Sequence, residues 1–280
     1  MKFAINGLIC SNQTPPLRVI FVSKQITLMK SNIALITGGS RGLGKDMALR
    51  LAEKGIHVII TYNTKAEEAQ KVVNQIQQSG QKAAALQLNT GDIKSFDSFI
   101  AKVMEILKQE FGTDRLDFLI NNAGMGNNAP IGEVTEEMFD DLMNVHFKGV
   151  YFLTQKTLPI LNDGGGIINV SSGLARFSVP GSSAYASMKG AVEVFTRYLA
   201  KELGPKGIRA NVIAPGAIAT DFNGAHLRES EQIQNFVSSV TALGRPGMAE
   251  DIGGVVAFLC TADARWITGQ RIEISGGMFV

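Results

Sequence analysis

The sequence predicts an α/β protein, one domain built on a doubly wound parallel sheet of about seven strands with helices on both faces. Three observations carry this expectation. From residue 30 onward, short apolar runs alternate with helix-length segments. Several of those runs are apolar throughout rather than at every second position, as strands covered on both faces are. No composition break and no internal repeat divides the chain beyond residue 30.

Taken in order, the first run is IALIT (33–37), which leads into TGGSRGLG (37–44) and a helix whose apolar positions Leu43, Met47 and Leu51 recur every fourth residue. HVIIT (57–61) is a second, β-branched strand, followed by a helix marked by Val72, Val73 and Ile76. AALQL (84–88) precedes a third helix with Phe99, Val103, Ile106 and Leu107 at spacings of three and four. DFLIN (117–121), GIINV (166–170), RANVI (209–213) and RIEIS (271–275) complete the strands. Parallel pairing makes the crossovers right-handed. In such a sheet ligands bind beyond the carboxyl ends of the strands, so the residues that follow each strand are the ones to read for function.

Composition excludes several classes. With 45% hydrophobic and 19% charged residues in 280, the chain can bury a sizeable core. A formal net charge of +2, without a basic tract interleaved with aromatics, gives no footprint for nucleic acid. No run reaches the roughly 18 apolar residues of a membrane span. Two cysteines, Cys10 and Cys260, with no CxxC and no histidine pair nearby, make neither a disulfide framework nor a metal site, and fit a reducing, cytoplasmic setting. Residues 1–28 differ in character from the rest, with a proline pair and no clear period. Asn6 and Gly7 interrupt their apolar stretch, against a signal peptide. They read as an extension, loosely ordered or docked on the surface, before a catalytic domain over 29–280.

Two features suggest chemistry. The glycines of TGGSRGLG lie directly between the first strand and the first helix, where a side chain would keep the backbone from a pyrophosphate held at the helix N-terminus; a ligand-free glycine turn is the plainer reading. In SAYASMKG (183–190), Tyr185 and Lys189 are one helical turn apart. That spacing admits a functional pair and equally two side chains that share a face by coincidence.

The glycine spacing is not GxGxxG; Gly38, Gly42 and Gly44 form T-G-x-x-x-G-x-G. Together with NNAG (121–124), YASMK (185–189), Ser172 thirteen residues before the tyrosine, and APG (214–216), it resembles the short-chain dehydrogenases/reductases, in a likeness running from about residue 30 to the C-terminus. The resemblance implies a seven-stranded Rossmann-type sheet, a nicotinamide cofactor and hydride transfer between that cofactor and a carbonyl or alcohol. It places Ser40, Arg41, Leu43 and the three glycines at the pyrophosphate, and Asn122, Ala123 and Gly124 beside the adenosine ribose. Asn89, where the family has an aspartate, with Thr90 lies near the adenine. Pro215, Gly216, Ile218 and Thr220 are implied at the nicotinamide.

The end of the second strand bears on the cofactor. A carboxylate there binds the ribose 2′-hydroxyl of NAD, whereas a 2′-phosphate is drawn to cations. TYNTK (61–65) offers Tyr62 and Asn63 but no acid, while Arg41 and Lys65 supply charge suited to phosphate. NADP(H) is therefore expected over NAD(H), unless both cations are ordinary solvated charges.

At the reacting centre the resemblance makes Tyr185 the acid/base, Lys189 the ammonium that lowers its pKa and holds the nicotinamide ribose, and Ser172 the hydroxyl that steadies the substrate oxygen. Ser171 competes with Ser172, and the count to Tyr185 favours the latter. The family commonly has an asparagine in a proton relay within the fourth crossover helix; MNVHFKG (143–149) puts His146 there, with Asn144 on a different face. Imidazole donates, accepts and titrates near neutrality, so a relay with altered pH dependence is one reading and a buried histidine satisfied by a carbonyl the other. Residues 221–247 read as a lid over a small-molecule substrate. Alternatives are a 3-oxoacyl-carrier-protein reductase, for which Arg176, Lys206 and Arg228 are the only cations offered, and a dinucleotide-binding regulatory protein without activity. An apolar face of Ala191, Val194, Phe195 and Tyr198 suits a homotetramer or homodimer, the family's usual state.

Overall fold

In a computed structural model of the protein, the described residues are 32–222 and 226–280. The expected extension over 1–28, and the start of the domain at 29, lie outside them. Seven strands form one sheet in the order β3-β2-β1-β4-β5-β6-β7, and every neighbouring pair is parallel. The strands are β1 (Ile33–Ile36), β2 (His57–Tyr62), β3 (Ala83–Gln87), β4 (Leu116–Asn121), β5 (Leu161–Val170), β6 (Arg209–Pro215) and β7 (Arg271–Ile274). The chain winds outward from β1 to β3, returns past β1 to β4 and proceeds to β7. The direction of winding therefore reverses between β1 and β4, and a crevice opens beyond their carboxyl ends.

Strand alternation builds two cores. Ala34 and Ile36 of β1 pack with Met47, Ala48 and Leu51 of α1 (Gly42–Glu53), Val72 and Ile76 of α2 (Ala66–Gln78), and Ile252 and Val256 of α9 (Glu250–Leu259). Ile33 and Leu35 face the other way, onto Phe96, Phe99 and Val103 of α3 (Phe96–Ile106), Leu153 of α5 (Gly149–Thr157) and Leu199 of α6 (Ser183–Leu203). The remaining helices are α4 (Glu136–Met143), α7 (His226–Glu229) and α8 (Glu231–Ser239). The third helix continues through a π-helical turn, Leu107–Phe111, and a second π turn, Asn144–Lys148, joins α4 to α5.

A buried polar chain crosses the second core. Thr154 on α5 accepts from the Asn121 amide (3.0 Å), which also donates to Asn169 (2.8 Å); Asn169 donates in turn to Thr196 on α6 (2.9 Å). β5 starts earlier than the sequence suggested. A register irregularity between Leu116 and Phe118 lets Leu161 pair with Leu116, while Asp117 binds both the Ile33 amide and the Asn162 side chain (2.8 Å each).

Candidate active site

The turn out of β1 is backbone brought close to backbone. Gly38 (φ +68°) and Gly42 (φ +54°) take left-handed conformations that side chains resist, and a Cβ on Gly44 would collide with the Gly38 carbonyl. Asn122 latches this loop from the end of β4. Its side-chain amide donates to the carbonyls of Thr37 (2.9 Å) and Gly38 (3.1 Å), while the Thr37 hydroxyl accepts from the Asn122 and Ala123 amides (3.0 and 2.9 Å). The Asn122 side chain thus holds the loop and also lines the cleft. α1 begins after Arg41, which is extended and makes no side-chain cap, so the first amides of the helix are left for an anion.

The loop opens onto a cleft of about 920 Å³ at the winding reversal, and every catalytic and cofactor candidate read from the sequence lines it. Tyr62, the last residue of β2, stands there with Asn63, Thr64 and Lys65; Asn89, whose side chain accepts from the Gly91 amide (3.0 Å), follows β3. Ile218 bridges to Gly247, and Thr220 packs where a Gly42 Cβ would be. An exposed carboxylate that the motifs did not mark, Asp221, lies 4.0 Å from Arg41 and 2.6 Å from Arg228 of α7. The uncapped helix, the glycine backbone and the size of the cleft together fit a dinucleotide.

At the other end, α6 delivers Tyr185 and Lys189 from successive turns, and β5 delivers Ser172. The two serines separate clearly. Ser171 is buried and donates to Glu193 (2.7 Å) and to the Lys189 carbonyl (3.3 Å), whereas the Ser172 hydroxyl accepts from the Leu174 amide (3.2 Å) and faces the Tyr185 phenol.

Burial sets the charges, and here the structure corrects an expectation. Instead of lying below its ordinary value, the Tyr185 phenol is pushed up to about 12, because burial penalises the phenolate; the Ser172 hydroxyl offsets part of this. Lys189, buried, is itself drawn down to about 7. Its ammonium lies over the Tyr185 ring, 5.5 Å from the centroid, and donates to the Val170 carbonyl (2.7 Å).

His146 sits within the second π turn and is buried. Its Nε2 lies 2.7 Å from the Met125 carbonyl and 3.3 Å from the Met125 amide; the shorter contact favours the tautomer in which Nε2 donates, which leaves Nδ1 as an acceptor, without a partner among the described residues. The ring stands edge-on to Tyr185, 5.0 Å between centroids. Burial, then the nearby Lys189 charge, lowers its pKa to about 3. Titration near neutrality, expected from the ordinary value, is therefore removed, and the imidazole is neutral. Gly124 makes room for it, since a Cβ there would come 2.8 Å from the ring.

The outer cleft is apolar. Leu174, Phe177, Phe222, Ile233, Phe236 and Met278 line it, and position alone marked only the lid members among them. The cations proposed for a carrier protein are engaged or remote. Arg176 pairs with Glu273 (2.6 Å), and Arg228 with Asp221 and Glu229. Lys206 follows α6, before β6, at the opposite end of the sheet from the cleft.

Comparison with known proteins agrees with this geometry. The family described as "Enoyl-(Acyl carrier protein) reductase" matches residues 38–279. The short chain dehydrogenase mdpC of Emericella nidulans is 37% identical over 260 residues, covering 89% of this chain and 96% of that protein. The chain belongs to the short-chain dehydrogenase/reductase family. Hydroxynaphthalene reductase arp2 of Aspergillus fumigatus is 36% identical over 86% of this chain and 90% of its own. The angucycline C-6 ketoreductase LanV, solved with bound NADP, superposes with a TM-score of 0.84 at 36% identity, covering 89% of this chain and 95% of that one. As a short-chain dehydrogenase/reductase, the protein is an NAD(P)-dependent oxidoreductase. No helix among its described residues is long and apolar enough to cross a membrane, and none of its described residues cluster as a metal site.

Proposed function

We propose that the protein interconverts a ketone and its alcohol with NADP(H), Tyr185 acting as the acid/base. The observation that carries this reading is the meeting of a half-buried phenol, a buried amine and the Ser172 hydroxyl in the cleft that the glycine loop opens. A bound nicotinamide supplies or accepts the hydride. Tyr185, protonated throughout the neutral range, donates its proton to the carbonyl oxygen, and Ser172 holds that oxygen in place. The phenolate left behind is stabilised by the Ser172 hydroxyl and the adjacent ammonium of Lys189. His146, neutral and with a free Nδ1, accepts a hydrogen bond in a relay that carries protons toward Lys189. Lys189 then also holds the nicotinamide ribose.

The absence of an acid at Tyr62, with Arg41 and Lys65 on the rim, supports NADP(H) over NAD(H). The apolar outer cleft, and relatives named as a ketoreductase and a hydroxynaphthalene reductase, support an uncharged, apolar carbonyl substrate. The engaged cations Arg176 and Arg228 weigh against an acyl-carrier partner. Exposed Tyr151, Val194 and Tyr198, with Tyr151 stacked on Phe195 at 4.5 Å, support a homotetramer or homodimer, which light scattering measures. Cys260, buried and free, suits a reducing cytoplasm. The deciding experiment follows oxidation of NADPH and NADH with a panel of aryl and alkyl ketones. Turnover of an apolar ketone with NADPH supports the reading; inertness toward the whole panel, with NADPH bound, overturns it in favour of a silent regulatory protein.

A further inference from the structure

Behind the reacting groups lies a line of charges that the chemistry above does not use. Glu193 is on α6, one turn beyond Lys189 and two beyond Tyr185, so it shares their face of the helix. Its carboxylate accepts from the Ser171 hydroxyl and from Arg271 Nε, both at 2.7 Å. Arg271, on β7, donates through its two other nitrogens to Glu273 (2.7 Å) and to the Ser172 carbonyl (3.3 Å). Glu273 also takes both arms of Arg176 (2.7 and 2.6 Å), and Arg176 binds the carbonyls of Met278 (2.8 Å) and Phe279 (3.2 Å). Side-chain exposures of 14% for Glu193, 24% for Arg271 and 21% for Glu273 put the middle of this line in a weakly solvated place. Charges there interact strongly, and leaving one unpaired is costly.

The contacts have a direction. Ser172 follows β5, and Tyr185 with Lys189 lies on α6; Lys189 to the Val170 carbonyl and Ser171 to the Lys189 carbonyl tie the two segments, but neither contact touches Ser172. Arg271 touches both: the serine's own carbonyl on one side and, through Glu193, the helix on the other. We propose that Arg271, bridged to Glu193, is a positioning residue that sets the separation of the Ser172 hydroxyl from the Tyr185 phenol. This rests on the reading of those two residues as the reacting pair. The planar fork of a guanidinium is what allows three differently placed acceptors to be held at once, which an ammonium does not match.

The test uses the full-length protein, an accepted ketone and NADPH. Arg271→Met is expected to lower kcat about tenfold and, because it takes a partner from Glu193 and Glu273, to lower the melting temperature, while the Kd for NADPH stays close to wild type; Arg271→Lys recovers only part of the rate. Glu193→Gln, which keeps the side chain's shape, lowers kcat in the same sense, and the double variant loses less than the product of the two single effects, since neither charge is then left alone. Unchanged kcat in both single variants overturns the proposal, as does a rate loss matched by an equal loss of NADPH affinity, which marks a merely structural role. If Arg271→Met does not fold, Glu193→Gln and Ser171→Ala decide by the same criteria. Tyr185→Phe runs alongside: full activity in that variant defeats the underlying assignment, whereas an inert Tyr185→Phe beside a fully active Arg271→Met defeats only the positioning role.

Discussion

The two ends of the cleft are made of different material. At the glycine loop the binding surface is backbone: left-handed glycines, an uncapped helix start, and carbonyls latched by Asn122. At the reacting end it is side chains: Ser172 just after β5, His146 of the second π turn, and Tyr185 and Lys189 of α6, the last three shifted from their ordinary pKa values. Backbone donors need no titration and tolerate changes in neighbouring side chains. Buried titratable groups act only in one protonation state, and they depend on their partners to hold that state. Substitutions at the two ends should therefore separate into effects on cofactor affinity and effects on turnover.

The largest expected effect tests that separation directly. Tyr185→Phe removes the proton donor, and kcat should fall by at least about a thousandfold, with the Kd for NADPH within about twofold. A comparable loss of NADPH affinity would erase the contrast between the ends. Next comes pH. Lys189 is charged below about 7 and neutral above it, so kcat/KM for ketone reduction should fall as pH rises through that value, where the phenolate loses its ammonium. Lys189→Arg stays charged and should flatten that limb of the profile, at a lower rate; a wild-type profile level from about pH 6 to 9 would contradict the role of burial. His146 should contribute no limb, being neutral above about 3. Replacing it with alanine should slow turnover about tenfold, and with asparagine, which also donates and accepts, should restore most of it. At the nucleotide end Arg41→Ala should raise KM for NADPH about tenfold and leave KM for NADH nearly unchanged, measured by steady-state kinetics.

The same contrast explains what the sequence discloses. All seven strands were legible because each is a short apolar run, and the glycine loop was legible because a close approach of backbone demands glycine at fixed places. The spacing of Tyr185 and Lys189 admitted a pair, and it was the company of TGGSRGLG, NNAG and Ser172 that singled them out. The directions of their pKa shifts were not, since burial depends on what packs above them. The Asn122 latch was hidden because its partners, Thr37 and Gly38, are more than eighty residues away. Arg271 and Glu193, 78 positions apart, carry no local signal at all. Arg176 read as a free cation because Glu273 meets it only once β7 joins the sheet. The early start of β5 was masked by its glycines, which argue locally against a strand.

The amide and hydroxyl chain from Thr154 through Asn121 and Asn169 to Thr196 bears on how the protein assembles as well as on how it stands. Asn121 and Asn169 face one another across β4 and β5. A slip of one residue between these strands would turn the amide of the strand that moves toward the opposite core and part Asn121 from Asn169, leaving buried polar groups without partners. Apolar strands such as these offer several pairings of similar attraction. The asparagines make one of them far cheaper than its neighbours, so they act as a proofreading device for strand alignment during folding.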